Sequence, residues 1–238
     1  MLIALTGGAT GIGASVAAKL KSRGATVTAF DLHEPKENVD HWIKLDLSDP
    51  ASVASAVELA EGPFDALINN AGLPPRDGMA ETVLNVNYFG LRQIMTLMLD
   101  KISKNGSIVN TASRAGSMWR ENMDEVKALA ALQSIDEVAS FVSKRGIDPV
   151  RAYNLSKEAV IALNISETES LLDRGLRINS ISPAAVATNI LDDFKTAFGD
   201  RVDHAIARAG KPGTPDEIAD AIVFLACPES RWIKGQDI

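Results

Sequence analysis

"LIALTGGATGIGASVAAKL" occupies residues 2–20, and its middle, "TGGATGIG" at 6–13, decides how the rest of the chain reads. A short apolar run enters a turn carrying Gly7, Gly11 and Gly13, and a helical pattern leaves it. Glycine lets the backbone turn tightly and approach an anion, while the helix that follows aims its N–H groups and positive dipole end at the same point. The spacing is G-x-x-x-G-x-G, which departs from the G-x-G-x-x-G dinucleotide fingerprint. Taken alone, the turn is equally compatible with a tight strand-to-helix connection that binds no phosphate. Beyond it Ile12, Val16 and Leu20 recur every fourth residue, giving one apolar stripe toward a sheet, and Gly24 supplies a helix stop.

The same alternation continues outward. "LIAL", "ATVTAF", "WIKL", "FDALIN", "GSIVNT" and "LRINSI" are short β-rich runs, with helical patterns between most of them. That order predicts βαβ units around a parallel sheet: an α/β fold, Rossmann-type and doubly wound, with helices on both faces. Near the end, "TPDEIADAIVFLA" offers Thr214 as N-cap, Pro215 at the first helical position and Glu217 at the capping-box position. The segment "RENMDEVKALAALQSIDEVASFVSKRGIDPV" is too long for a loop and is helical in content, with Ser134 and Glu137 forming a second capping-box pattern. It reads as a helical hairpin inserted on the surface over approximately residues 120–148. The expectation is one domain spanning residues 1–238.

Composition narrows the function classes. The chain is 46% hydrophobic and 23% charged, as expected for a folded chain, and its net charge of -7 opposes a general nucleic-acid surface. No run approaches the ~20 apolar residues that span a bilayer, and "MLIALTGG" lacks the basic leader of a secretory signal, so a cytoplasmic protein is expected. The single cysteine, Cys227 in "FLACP", reads as a buried position near a helix end. His33, His41 and His204 show no metal-ligand spacing, no G-x-S-x-G elbow is present, and no metal site is expected.

Several polar residues fall at strand ends, where ligands bind in such sheets. Asp31 closes the second strand, about 20 residues beyond the glycines, where a carboxylate accepts from ribose hydroxyls and repels a 2′-phosphate. This implies NAD(H) over NADP(H), although a solvated strand-end acid reads the same way. Asp46 closes the third strand within reach of an adenine edge, and Asn69 and Asn70 close the fourth, where asparagines are also ordinary turn formers. "RAYNLSKEAV" at 151–160 places Tyr153, one of two tyrosines, one helical turn before Lys157. Alone, that pair is also consistent with a packed ring and a solvated lysine.

Taken in order, "TGGATGIG", "NNAG", "VNYFG", "NTAS", "YNLSK" and "ISPAAVAT" resemble the short-chain dehydrogenase/reductase family over nearly the whole chain. The resemblance implies a catalytic set of Asn87, Ser113, Tyr153 and Lys157. Tyr153 is the acid/base and Lys157 its activating cation, Ser113 bonds the substrate oxygen, and Asn87 holds a water joining the lysine to solvent. It implies a dinucleotide held by Gly7, Thr10, Gly11, Ile12 and Gly13 at the first turn. Asp31, Asp46 and Leu47 would lie at the adenosine end, and Asn70, Ala71 and Gly72 beside the fourth strand. Pro183, Val186 and Thr188 would surround the nicotinamide, with Tyr153 and Lys157 on its ribose. A phenol is a poor base near neutrality, and an ammonium on the same helix face favours the phenolate.

Departures from the pattern sharpen the expectation. Ser113 and Tyr153 are 40 positions apart, longer than in most relatives. The insertion is similar to that of the bacterial 3α-hydroxysteroid dehydrogenase/carbonyl reductase and coniferyl-alcohol dehydrogenase subgroup. The implied activity is NAD(H)-dependent interconversion of a small apolar secondary or aromatic alcohol with its ketone or aldehyde; the alternative is a non-catalytic NAD(H)-binding regulator. The insertion either lines the substrate mouth with Met118 and Trp119 or modifies a subunit contact, and a homodimer is expected, with a homotetramer as the alternative. Pro183-Ala184 replaces a usual Pro-Gly, and "WIKGQDI" stands where relatives continue through a glycine-containing final strand. Residues 188–210 read as two short helices, and the resemblance implies that this region closes over substrate.

Overall fold

The computed structural model describes residues 1–238. Six parallel strands form its sheet: β1 (Leu2–Thr6), β2 (Thr26–Asp31), β3 (His41–Lys44), β4 (Phe64–Asn69), β5 (Ile102–Thr111) and β6 (Arg177–Ile181), in the order β3-β2-β1-β4-β5-β6. Side chains alternate across each strand, and here both sides are apolar. Ile3 and Leu5 of β1 face one core cluster and Ala4 faces the other; Ala66 and Ile68 of β4 are opposed in the same way by Leu67. Helices on both faces follow from that pattern.

One face is covered by α1 (Gly11–Ser22), which packs on the last helix of the chain, Pro215–Ala226. The opposite face takes α2 (Pro50–Leu59), α3 (Ala80–Leu84), α4 (Leu91–Met98) and, later in the chain, the helix Pro149–Ser166. Val16 and Leu20 of α1 are buried as their spacing predicts, and Leu20 contributes about 1.5–3 kcal/mol by leaving water. Ile12 is only half buried, because it stands where the helix meets the open end of the sheet. The strand order reverses between β1 and β4, so the β1 and β4 loops part there and leave a crevice.

The inserted segment forms α5 (Met123–Ala130) and α6 (Val138–Arg145), but they do not make a surface hairpin. Helix α5 packs on α7 (Pro149–Ser166) and α6 packs on α3, and Val126, Leu129, Val138 and Phe141 join the larger core. Apolar residues three apart place that stripe inward on each helix. The Ser134 capping pattern is present: its hydroxyl accepts the Asp136 N–H at 3.1 Å and Glu137 accepts the Ser134 N–H at 3.0 Å.

The chain continues through α8 (Thr168–Asp173), α9 (Leu191–Phe198), α10 (Asp200–Ala209) and α11 (Pro215–Ala226). Thr214 and Glu217 cap α11 reciprocally, at 3.2 and 2.7 Å. Cys227 is buried at its end. Strand β5 starts at Ile102, ahead of "GSIVNT", and its pairing with β4 slips between Phe64 and Ala66 around Asn105, whose φ is 68°. The edge beside β6 is covered by the tail itself, through Gly235 N–H to Ile178 O (2.8 Å) and Ser180 N–H to Gln236 O (2.8 Å). No helix is long and apolar enough to cross a membrane.

Candidate active site

The crevice at the C-terminal ends of the strands is a cleft of about 840 Å³. At its floor the β1–α1 turn is closed by contacts that admit no side chain. A Cβ at Gly13 would lie 1.8 Å from the Gly7 carbonyl oxygen, and one at Gly7, whose φ is +71°, would lie 2.7 Å from Ala71 Cα. Thr6 holds the neighbouring loop, its hydroxyl accepting the N–H groups of Asn70 (3.0 Å) and Ala71 (3.1 Å), and Asn70 Nδ2 donates to Gly7 O at 3.1 Å. The first helical bond of α1 runs from Ala14 N–H to Thr10 O, which leaves the amides of Gly11 and Ile12, two residues that line the cleft, without a backbone acceptor.

Asp31 stands at the end of β2, where Oδ2 accepts the Ala9 N–H and Oδ1 the His33 N–H, each at 3.0 Å. Its remaining lone pairs face the cleft, and the carboxylate also fixes the glycine turn. Asp46 and Leu47 line the same end, with Asp46 Oδ1 accepting from the Ser48 N–H at 2.8 Å and hydroxyl at 2.6 Å. The exposed amides, the acid and the size of the cleft fit an adenine dinucleotide stretched from β3 to β6. Asn69 does not reach it: buried beneath the floor, it donates to Asn110 Oδ1 at 2.9 Å.

At the other end α7 supplies Tyr153 and Lys157. Asp148 caps this helix by accepting the Arg151 N–H at 2.7 Å, and Pro149 takes its first position, so Tyr153 sits in its second turn. Lys157 is buried and donates to Thr111 O at 2.8 Å, with Nζ 5.8 Å from the centre of the Tyr153 ring. Ser113 begins a tight turn after β5; its hydroxyl accepts the Ala115 N–H at 3.2 Å and lies beside the Tyr153 phenol.

Burial pushes the Tyr153 phenol up to about 12, and the Ser113 hydroxyl offsets this only in part. Burial pushes Lys157 down to about 8. In the protein alone, desolvation is the larger effect on Tyr153 and keeps the phenol protonated at neutral pH.

Sixteen of the expected site residues line the cleft: Gly7, Thr10, Gly11, Ile12, Asp31, Asp46, Leu47, Asn70, Ala71 and Gly72, then Ser113, Tyr153, Lys157, Pro183, Val186 and Thr188. Gly13 and Asn87 do not. Gly13 lies under the turn, and Asn87 is buried in a single π-helical turn, Asn85–Gly90. Its carboxamide clasps the backbone of Leu73, accepting the N–H at 2.7 Å and donating to the carbonyl at 2.9 Å. No hydrogen bond joins it to Lys157, but a Cβ on Gly72 would lie 3.1 Å from Asn87 Oδ1 and 3.6 Å from Lys157 Nζ.

Met118 and Trp119 do not line the cleft; Met118 is exposed and Trp119 packs against the core with Arg120 over its ring. No residue of the insertion lines the cleft; the mouth there is formed by the turn that precedes it, at Arg114, Ala115 and Ser117. Ala184 has no left-handed backbone, so the missing glycine is accommodated without strain. Phe194 and Phe198 of α9 escaped the sequence reading. Their rings meet that of Tyr153 edge-on at 5.1 and 6.2 Å and stack on each other at 6.3 Å, roofing the phenol. Two phenylalanines one helical turn apart in a mostly polar segment were the available signal. Arg76 anchors the same helix with a fork onto Asp193, at 2.9 and 2.8 Å.

Comparison with known proteins agrees with this arrangement. Residues 1–125 match the family model described as short chain dehydrogenase, and residues 126–238 match one described as Enoyl-(Acyl carrier protein) reductase. The chain is 35% identical over 240 residues to a coniferyl-alcohol dehydrogenase of a Pseudomonas species, covering 99% of this chain and 93% of that protein. It is 28% identical over 262 residues to a 3-oxoacyl-[acyl-carrier-protein] reductase of Thermotoga maritima, covering 98% and 93%. Among solved structures, the 3-alpha-hydroxysteroid dehydrogenase of Pseudomonas sp. B-0831 complexed with NADH superposes with a TM-score of 0.87 at 28% identity, over 100% of this chain and 94% of that one. With a doubly wound sheet, a glycine turn beneath its crevice and a tyrosine–lysine pair on the helix beside it, the chain belongs to the short-chain dehydrogenase/reductase family.

Proposed function

We propose that the protein is an NAD(H)-dependent oxidoreductase that interconverts an apolar secondary or aromatic alcohol with its carbonyl compound. The observation that carries this reading is the Tyr153 phenol at the cleft floor, beside Ser113 and Lys157 and beneath the rings of Phe194 and Phe198. Related proteins named for coniferyl alcohol and for 3α-hydroxysteroids favour the same substrate class.

The Gly11 and Ile12 amides would hold the pyrophosphate, and Asp31 the adenosine ribose hydroxyls while repelling a 2′-phosphate. Pro183, Val186 and Thr188 would border the nicotinamide, and Lys157 its ribose. The bound nicotinamide supplies or accepts the hydride. Tyr153 moves the matching proton: in reduction its O–H donates to the carbonyl oxygen as that oxygen gains charge, and in oxidation its phenolate takes the hydroxyl proton. Ser113 donates to the same oxygen and orients it. The Lys157 ammonium, held by Thr111 O, stabilises the phenolate once it forms. Asn87 fixes Leu73 beside Gly72, and a water between Asn87 and Lys157 would return the proton to solvent. The apolar roof admits a ring and excludes water from the reacting oxygen.

The test is oxidation of sterols, cyclic alcohols and aryl alcohols, with NAD+ and NADP+ side by side. Turnover of ring-bearing alcohols with NAD+ is expected. Binding of NADH without turnover of any alcohol or ketone would instead favour a binding protein.

A further inference from the structure

The inserted segment makes little contact with the cleft but strong contact with the helices that build it. Glu158 directly follows Lys157 and is only 1% exposed. Its carboxylate accepts from Asn122, just before α5, at 2.7 Å, and from both terminal nitrogens of Arg151 at 2.9 and 2.6 Å. The same guanidinium reaches Glu125 of α5, with Nε donating at 2.8 Å. Arg151 and Glu158 therefore bracket Tyr153 and Lys157 on α7, and both are tied to the insertion. At the far end of α5, Arg92 of α4 donates to Ala130 O at 3.0 Å and lies over the rings of Tyr88 and Phe89, at 5.3 and 5.0 Å, in the turn that holds Asn87.

A buried carboxylate needs partners of this kind, whereas apolar side chains of similar volume would bind two helices at least as well. What the network adds is registry. A guanidinium fork bonded in two directions fixes both the rotation of α7 and its distance from α5. None of Asn122, Glu125, Arg151 and Glu158 lines the cleft, so they touch neither substrate nor cofactor.

We infer that α5 is a brace joining the helix of Tyr153 and Lys157 to the turn of Asn87, with Arg151 and Glu158 as positioning residues for the proton-transfer pair. The inference rests on the hydride-transfer reading of the cleft. A displacement near 1 Å at a reacting group can cost about 10²-fold in rate, so partial loss of the brace should be visible in kcat.

The test uses the full-length protein with Glu125→Gln and Asn122→Ala, which each remove one strand of the network, and with Arg151→Met and Arg151→Lys. For a ketone that the wild type reduces, Glu125→Gln and Asn122→Ala are expected to lower kcat about three- to tenfold. The KM for ketone and the Kd for NADH should stay within about twofold, since no contact to either is lost. Arg151→Lys should recover part of what Arg151→Met loses. Backbone amides of residues 151–158 should exchange hydrogen faster in the same variants, a readout that needs no turnover and survives failure of Arg151→Met to fold. A raised KM with unchanged kcat would make the insertion a substrate wall, and an unchanged kcat or unchanged exchange in folded variants would likewise overturn the brace. If the wild type turns over no ketone, the hydride-transfer reading fails, and the exchange rates alone decide whether α5 braces α7.

Discussion

Replacing Gly13 by alanine tests whether the glycine turn is shaped by close approach. The new Cβ would lie 1.8 Å from Gly7 O and 2.7 Å from Asn70 Nδ2. Neither neighbour is free to yield. Gly7 donates its N–H to Phe30 O at 2.9 Å and already abuts Ala71, while Asn70 is bonded to the same Gly7 carbonyl. The body of α1 is fixed by Val16, Ala17 and Leu20 in the core, so the displacement falls on its first turn. Overpacking of this kind costs about 1–3 kcal/mol. At about 2–4 °C per kcal/mol for a chain of this length, that is a fall in Tm of roughly 2–12 °C. The same shift misdirects the Gly11 and Ile12 amides, so NADH affinity should fall by about tenfold or more, equivalent to about 1.4 kcal/mol. Scanning calorimetry with and without NADH reads both effects. A variant with wild-type Tm and an undiminished NADH-induced rise would refute the packing argument.

Asp31→Ala should lower the preference for NADH over NADPH by about tenfold or more in kcat/KM, since the group that repels the 2′-phosphate is gone; an unchanged ratio would show that another residue reads the ribose. With the Tyr153 phenol at about 12 and Lys157 at about 8, the phenolate needed for oxidation grows with pH while the ammonium that stabilises it is lost above about 8, so alcohol oxidation should climb from about pH 6 and level off near 8 while ketone reduction does not climb. Oxidation that is flat with pH would place the titrating group elsewhere. Phe194→Ala removes a ring that roofs Tyr153; loss of one aromatic contact with a bound substrate ring, of a kind that contributes about 0.5–1.5 kcal/mol, should raise KM for aryl ketones roughly two- to tenfold. An equal rise for small aliphatic ketones would show that the roof does not recognise rings.

The sheet was legible because most strands carry a short apolar run, and because Thr6, Asp31, Asn69 and Thr111 place polar ends on strands that all point the same way. The cleft was legible for the same reason, since strand ends converge in a parallel sheet. What lay outside the sequence depends on three-dimensional burial. Nothing in "VNYFG" announces a π-helical turn that engages Asn87 with Leu73, and nothing in "YNLSK" tells that burial pushes Tyr153 up and Lys157 down. The insertion read as helical from propensity and capping, but its attachment needed the long-range pairing of Arg151 with Glu125 and Glu158. Met118 and Trp119 attracted notice as large apolar residues near the site, yet the aromatic roof comes from Phe194 and Phe198, forty residues beyond Tyr153 and brought back by β6.

In the proposed reaction Tyr153 moves the proton that accompanies hydride transfer. The most direct test is Tyr153→Phe, measured in one preparation for NADH binding by fluorescence titration and for NADH oxidation on mixing with an aryl or cyclic ketone that the wild type reduces. The account predicts NADH binding within about threefold of wild type and a loss of turnover of at least about 10²-fold, the scale of general acid catalysis. A variant that binds NADH and reduces the ketone at the wild-type rate would contradict it.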